Sequence, residues 1–226
     1  IDIVLNLQAL NIVFNKELLN KTKNIIKKFE LNKKKIILFG TGGSSLGARA
    51  LHNINNNKKI NIEFYDNIDP ITFEKSFKSI DFKTTGFIII SKSGNTPETL
   101  AQFSCLYQIA LQTKNIDQFL SNILVITERK ESALYNIAME KNCLFLEHDN
   151  EIGGRFSIFS NVGIVPAIIS GININDLYSG ASEVINNIEK YSALDLGKYL
   201  CMQQNKKFSS NVLMTYSDSL YFFGKW

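Results

Sequence analysis

The feature that most constrains the fold is a set of five short apolar segments separated by stretches of helical periodicity. The segments cover residues 35–39, 60–65, 86–90, 122–127 and 143–147. Continuous apolar runs of this length are typical of strands that are buried on both faces, as the strands of parallel sheets are. Strands that alternate with helices therefore predict an α/β fold built on a doubly wound parallel sheet.

Apolar periodicity predicts the helices. They cover residues 7–30, 44–55, 97–112, 131–141, 160–170, 175–190 and 194–204. One more helix begins with Asp69 as the N-cap and Pro70 at its first position. The candidate buried positions of the first helix are Leu10, Val13, Phe14, Leu18, Ile25 and Phe29.

A late apolar segment at residues 211–216 predicts another strand, with Asp218 as the cap of a helix that follows it. This strand lies too far along the chain to be a simple sixth strand of the same sheet. We interpret it as the opening of a second α/β unit that the chain does not finish.

The composition excludes several classes of protein. Of the 226 residues, 45% are hydrophobic and 20% are charged, which is ordinary globular usage and excludes a disordered or collagen-like chain. The apolar runs are far shorter than a membrane span, and no signal peptide is visible. We therefore expect a cytoplasmic protein without a membrane partner.

Cysteine spacing and charge exclude further classes. Cys105, Cys143 and Cys201 lie far apart, which indicates reduced structural thiols rather than metal ligands. The net charge is +4, and the densest basic stretch is residues 21–35. Its lysines flank apolar residues at helical spacing, which favours the solvated face of an amphipathic helix over a nucleic-acid surface. We expect neither a metal nor a nucleic-acid partner.

Ligands of doubly wound sheets bind beyond the carboxyl ends of the strands. The loops that begin at Gly40, Asp66, Ser91, Thr127 and His148 are therefore the expected place for chemistry. Three loops near this edge carry informative residues.

The first loop, GTGGSSLG, follows a strand and opens a helix, from Gly40 to Gly47. Its glycines allow close approach of a ligand to the backbone, and the helix start offers free N–H donors. A dinucleotide-binding loop would need glycine where Ser45 stands. Asp66 would suit a ribose-binding acid in such a site, although a turn or capping aspartate before Pro70 is the favoured interpretation.

The second loop, residues 91–99 (SKSGNTPET), surrounds Gly94 with hydroxyl side chains and places Thr96 at the N-cap of a helix that Pro97 begins. Hydroxyls and free backbone N–H groups of this kind suit a phosphate dianion. The alternative is an ordinary capped turn. Two loops of glycine and hydroxyl residues on neighbouring strands favour a phosphorylated small molecule.

The third loop, residues 151–157 (EIGGRFS), contains Arg155, one of only three arginines in the chain. The glycine pair before Arg155 brings backbone N–H groups and a guanidinium close to one point, which suits an oxyanion. The alternative is a surface ion pair of Arg155 with Glu151 or Asp149.

These three loops, in this order, resemble the phosphoglucose isomerase family. The matching residues are GTGGSSLGARAL (40–51), SKSGNTPETL (91–100) and GGRFSIFSNVG (153–163), and YSDSLYFFGKW (216–226) is similar to the opening of the family's second unit. The first two motifs are shared with the wider sugar-isomerase (SIS) superfamily, whereas the third is more specific. The resemblance implies a flavodoxin-like three-layer SIS domain. It divides the chain into a helical segment (1–30), a first SIS domain (31–172) and a helical connection with the incomplete start of a second SIS domain (173–226).

The resemblance also implies residue roles. The positions that match the family's contacts to the sugar phosphate are Gly43, Ser44, Ser91, Lys92, Ser93, Thr96 and Thr99. Arg155 matches the arginine that stabilises the enediolate during interconversion of glucose 6-phosphate and fructose 6-phosphate. The loop reads Ser93-Gly94-Asn95 where many members have threonine, an aromatic residue and threonine.

The family's catalytic glutamate and its ring-opening histidine and lysine match no residue here and are expected beyond Trp226. The two histidines, His52 and His148, and the acids Glu98 and Glu151 match none of them. The chain by itself is therefore expected to be inactive. The family implies a homodimer, a small sugar phosphate as ligand and no cofactor.

Two other functions stay open. A phosphosugar-binding SIS module without catalysis would explain the first two loops and the missing base, but not the GGRFS segment. A nucleotide-binding oxidoreductase would depend on the first loop and Asp66.

Overall fold

The computed structural model describes residues 6–78, 80–191, 195, 197–199, 210 and 212–226. Its strands are β1 (Lys35–Phe39), β2 (Asn61–Tyr65), β3 (Thr85–Ile90), β4 (Ile123–Thr127) and β5 (Leu144–Glu147). They form one parallel sheet in the order β2-β1-β3-β4-β5. The predicted doubly wound sheet is confirmed, and each strand begins and ends within one residue of its predicted position.

Ten helices of the described residues surround the sheet. They are α1 (Gln8–Asn11), α2 (Lys16–Phe29), α3 (Leu46–Ile54), α4 (Pro70–Phe77), α5 (Pro97–Gln112), α6 (Ile116–Ser121), α7 (Ala133–Glu140), α8 (Asn161–Ile169), α9 (Ile174–Asn186) and α10 (Tyr221–Lys225). Short 3₁₀ segments occur at Ile12–Phe14, Gly42–Ser44, Gly154–Phe159, Ile188–Lys190 and Asp218–Leu220. The helix predicted at residues 194–204 falls largely outside the described residues.

The sheet has an apolar core on each face because alternate strand residues point in opposite directions. In β1, Ile37 and Phe39 join a core that includes residues of α4, α5, α6 and α7. Ile36 and Leu38 join a second core with residues of α2, α3 and α8. Helices therefore cover both faces, which gives the expected three-layer SIS-like sandwich.

The N-terminal helix differs from its prediction. A single helix was expected over residues 7–30, but α1 and a 3₁₀ turn precede Asn15, and α2 begins after it. The Asn15 side chain accepts a hydrogen bond from the backbone N–H of Leu18 at 2.9 Å, and this cap restarts the helix. The break turns Phe14 outwards, so its predicted burial is wrong: it is 45% exposed. Val13 and Phe29 are buried as predicted.

The strand predicted at residues 211–216 is also wrong over the part that the structure describes. Residues 212–216 form no strand, and Tyr216 is 92% exposed. A strand needs a neighbour to accept its backbone hydrogen bonds, and none of the described segments pairs with this one. Ser217, rather than Asp218, stands at the N-cap of the 3₁₀ turn. Asn211 and Cys201 lie outside the described residues.

The last helix, α10, packs against α3. Arg49 of α3 stacks on Phe222 of α10, with the guanidinium carbon 5.5 Å from the ring centroid. Within the described ranges, every helix is too short or too polar to span a lipid bilayer. The same ranges contain no group of three or more His, Cys, Asp or Glu side chains suited to a metal ion.

His52 is buried on α3, where the ring lies between the helix and the end of α8. Its Nδ1 is 2.6 Å from the Ser170 hydroxyl, which itself donates to the carbonyl of Pro166 at 2.7 Å. The hydroxyl proton is therefore in use, so the ring N–H donates to Ser170. Burial lowers the pKa of His52 from 6.5 to about 4, and the charge of Lys58 acts in the same direction.

This shift predicts a pH-dependent stability. Between about pH 6.5 and 4 the unfolded chain binds a proton at His52 that the folded chain does not, so the free energy of unfolding falls as the pH falls through this range. In this range the free energy of unfolding falls by up to about 1.4 kcal/mol for each pH unit. His52→Asn keeps a donor for Ser170 but has no titratable ring. In urea unfolding, its free energy of unfolding should therefore fall less between pH 7 and pH 5 than that of the unsubstituted protein. Equal losses in both proteins would contradict the assignment.

Candidate functional site

The three predicted loops meet at the carboxyl edge of the sheet around an open pocket of about 440 Å³. Five predicted site residues line it: Gly43, Ser44, Lys92, Ser93 and Thr96. The other lining residues are Thr41, Glu128, Lys130 and Gly154. The parallel sheet makes this convergence possible because the first loop follows β1 and the second follows the neighbouring β3.

Gly43 brings the first loop against the third. A Cβ atom at this position would lie 2.6 Å from the carbonyl oxygen of Gly154 and 2.7 Å from the backbone nitrogen of Arg155. The Ser157 hydroxyl lies between the two loops, 2.6 Å from the carbonyl oxygen of Gly154 and 3.4 Å from that of Gly43. Only glycine allows the two backbones to approach this closely.

Hydroxyl groups organise the second loop from within. The Ser91 Oγ and Thr96 Oγ1 atoms are 2.7 Å apart, and the backbone N–H of Gly94 donates to Ser91 Oγ at 3.1 Å. Gly94 has a φ of 69°, which glycine adopts without strain. Ser91 is buried, whereas Ser93 is exposed. Thr96 occupies the predicted N-cap of α5, but its side chain bonds Ser91 instead of a helical N–H.

Asn95 and Thr99 support this loop from outside the pocket. The Asn95 Oδ1 accepts a hydrogen bond from the backbone N–H of Ala133 at 2.9 Å, at the start of α7. Thr99 is 1% exposed, and its hydroxyl has no hydrogen-bond partner among the described residues. Thr99 does not line the pocket, so its predicted contact with the ligand stays a prediction.

Lys92 ties the second loop to the third. Its Nζ donates to the carbonyl oxygens of Asn150 at 2.8 Å and Ile152 at 3.0 Å, and it lies 3.8 Å from Glu128 Oε1. The ammonium therefore holds the backbone segment that leads to the glycine pair and Arg155.

Arg155 is exposed, next to the pocket-lining Gly154. Its carbonyl oxygen accepts a hydrogen bond from the indole N–H of Trp226 at 3.0 Å. In the part of the chain that the structure describes, Arg155 forms no ion pair with Asp149 or Glu151. The Asp149 carboxylate instead accepts hydrogen bonds from Gln8 and from the backbone of Glu151.

The remaining acid and histidine of this edge lie outside the pocket. Asp66 pairs with Arg49 Nη2 at 3.1 Å, and Asp69 rather than Asp66 caps α4, so the expectation of a capping role for Asp66 is wrong. An acid already paired with arginine gives little support to a ribose site. His148 is buried, its Nδ1 is 2.9 Å from the Asp149 carbonyl oxygen, and burial lowers its pKa.

Sequence reasoning did not single out Thr41 and Gly154, although both lie in the predicted loops, and it missed Glu128 and Lys130 altogether. The loop at Thr127 was expected at this edge, but the residues after it form no motif that would single them out. The geometry of β4 is the signal: it pairs with β3, so its loop must lie beside the second loop.

The strand order and the three loops together define a protein of the SIS fold. The sequence profile described as phosphoglucose isomerase matches residues 21–210. The chain therefore belongs to the phosphoglucose isomerase family, as its motifs indicated.

Curated relatives agree with this assignment. The chain is 31% identical to glucose-6-phosphate isomerase of Carboxydothermus hydrogenoformans over 211 residues, which are 85% of this chain and 45% of the relative. It is 33% identical to the probable glucose-6-phosphate isomerase of Methanococcus maripaludis over 219 residues, which are 90% of this chain and 49% of the relative. The chain thus spans about half the length of these relatives.

Solved structures share the fold. A hypothetical protein of Thermus thermophilus superposes with a TM-score of 0.85 at 25% identity, covering 96% of this chain and 52% of that one. Glucose-6-phosphate isomerase of Chlamydia trachomatis superposes with a TM-score of 0.73 at 20% identity, covering 92% and 41%. The second likeness supports the fold alone.

The contact between the first and third loops generates a stability prediction. In Gly43→Ala the new methyl group clashes with backbone atoms of Gly154 and Arg155, which cannot avoid it by a change of rotamer. We therefore expect the free energy of unfolding to fall by about 1–3 kcal/mol. Gly180→Ala is the control, because nothing lies within 4 Å of its added Cβ in α9. That change should stabilise the helix by roughly 0.5–1 kcal/mol. Urea unfolding of both variants measures the difference, and equal shifts would argue against the close approach.

Proposed function

We propose that this chain binds the substrate of a glucose-6-phosphate isomerase, which interconverts glucose 6-phosphate and fructose 6-phosphate, and holds the phosphate group in the pocket between the three loops. The observation that carries the proposal is the convergence of hydroxyls, lysines and the amino end of α5 on one pocket. Membership of the phosphoglucose isomerase family supports the choice of substrate.

The pocket suits a phosphate dianion for two physical reasons. Ser44, Ser93 and Thr96 line it with hydroxyl groups, which can donate to phosphate oxygens. The 16-residue helix α5 begins at Pro97, directly after Thr96, so the positive end of its dipole lies beside the pocket. A phosphate held there provides binding energy remote from the reacting carbons.

Arg155 is the candidate catalytic residue. The choice rests on its exposure and on its place in the chain directly after the pocket-lining Gly154. During isomerisation a proton moves between C1 and C2, and negative charge develops on the sugar oxygens of the enediolate. A guanidinium at those oxygens stabilises this charge more than that of the ground state.

We propose that the glutamate that moves the proton comes from the half of the relatives' length that this chain does not match. Of the acids here, Glu128 lines the pocket, but its carboxylate is paired with Lys92 and Lys130. Glu98 and Glu151 are exposed and do not line the pocket. The proposal includes a cytoplasmic homodimer and a reaction without a cofactor.

Two measurements test this function. In calorimetric titrations, 6-phosphogluconate should bind the chain, whereas NADH should not. A coupled assay for fructose 6-phosphate formation should detect turnover only in a version extended to the full length of the relatives. Binding of 6-phosphogluconate without turnover in the extended protein would instead indicate a phosphosugar-binding module, and binding of NADH alone would contradict the proposal.

The phosphate assignment predicts the effect of one hydroxyl. Thr96→Val keeps the shape of the side chain but removes a hydrogen bond to a charged group, which is worth about 1.5–3 kcal/mol, so 6-phosphogluconate should bind at least about tenfold more weakly. Thr113→Val is the matched control, since Thr113 lies at the opposite end of α5, about 25 Å away along the helix. Isothermal titration measures both, and equal affinities would remove Thr96 from the phosphate site.

The role of Arg155 predicts a kinetic signature in the full-length enzyme. Arg155→Lys keeps the charge but loses the planar fork of donors. If Arg155 stabilises the enediolate, kcat should fall by more than about tenfold while KM changes little. Steady-state kinetics distinguish the alternatives: a rise in KM alone would make Arg155 a ground-state contact, and unchanged constants would place it outside the site.

A further inference from the structure

Lys130 is a pocket-lining lysine that no sequence motif singles out. It follows β4, and its side chain is 57% exposed. Its Nζ pairs with Glu128 Oε2, the one partner that its ammonium has among the described residues. An ammonium carries three donors, so Lys130 has donors left to reach a ligand in the pocket.

The ammonium group of Lys92, unlike that of Lys130, is bound to backbone carbonyls. Its side chain is 33% exposed, and its ammonium is directed at the two carbonyl oxygens of the third loop and at Glu128. Two donors of this ammonium therefore bind backbone carbonyls, and the third faces a carboxylate 3.8 Å away. A ligand that took over either carbonyl-bound donor would loosen the segment that leads to Arg155.

Glu128 links the two lysines. It is 8% exposed, with Oε1 towards Lys92 and Oε2 towards Lys130. A largely buried carboxylate between two ammonium groups holds both in place and leaves the three side chains with a net charge of +1. This surplus positive charge favours an anion in the pocket. Of the two lysines, Lys130 is the more exposed.

We propose that Lys130 contacts the anionic group of the bound ligand and makes the site selective for phosphorylated sugars over neutral ones, while Lys92 acts as a positioning residue for the third loop. The inference rests on the proposed function, because it takes the pocket to be the phosphate site. Glu128 sets the position of the Lys130 ammonium before the ligand arrives.

The test compares three single substitutions in isothermal titrations with 6-phosphogluconate. Lys130→Gln should weaken binding by about tenfold, the loss expected for a charged hydrogen bond, and should reduce the salt dependence of the dissociation constant. Lys130→Arg keeps the cation and should bind within about threefold of the unsubstituted chain. Lys141→Gln is the charge-matched control, because Lys141 lies just before β5 at the opposite edge of the sheet.

A second readout separates the two lysines. Lys92→Gln should lower the thermal unfolding midpoint more than Lys130→Gln does, because it removes the two ties to the third loop as well as a cation beside Glu128. If Lys130→Gln binds 6-phosphogluconate as tightly as Lys141→Gln does, the inference is overturned and the proposed function stands. If the unsubstituted chain binds no phosphosugar, the proposed function fails and the inference fails with it.

Discussion

The pocket depends on the close backbone approach of Gly43 to Gly154 and Arg155. The space between the two backbones leaves no room for a side chain at Gly43, so the first and third loops pack directly against each other. Lys92 then joins the second loop to the third through two backbone carbonyls. Three segments that are far apart in the sequence thereby become one unit, held together by contacts within the protein.

The sheet supplies the frame for this unit. Its strands are buried on both faces, and their parallel direction places every strand-end loop at one edge. The second loop also opens α5, so its hydroxyls and the positive end of a helix dipole serve the same place. Hydrogen bonds at the edge mostly position backbone: Asn95 holds α7, and Trp226 holds the carbonyl of Arg155. The hydroxyls and lysines that line the pocket are the groups on which the proposed phosphate site depends.

Much of this architecture could be predicted from the sequence, and the errors have physical causes. The five strands were predictable because burial on both faces leaves an unbroken apolar run. The apolar periodicity predicted one continuous helix through Asn15, although asparagine is itself a good N-cap residue. Residues 212–216 have an apolar strand pattern but no described partner strand, and short α6 was not predicted at all. In the site, motifs identified the glycine and hydroxyl residues, whereas Glu128 and Lys130 became visible only through strand pairing.

The central claim is that the three loops hold the phosphate of a sugar phosphate. The most direct measurement is the change of backbone amide chemical shifts when 6-phosphogluconate is added to the isotope-labelled chain. The account predicts the largest changes at the pocket residues Gly43, Ser44, Ser93, Thr96 and Gly154, with inorganic phosphate affecting Ser44, Ser93 and Thr96 among them. Largest changes in the separate groove lined by Phe73 and Cys105, or no changes at saturating ligand, would contradict it.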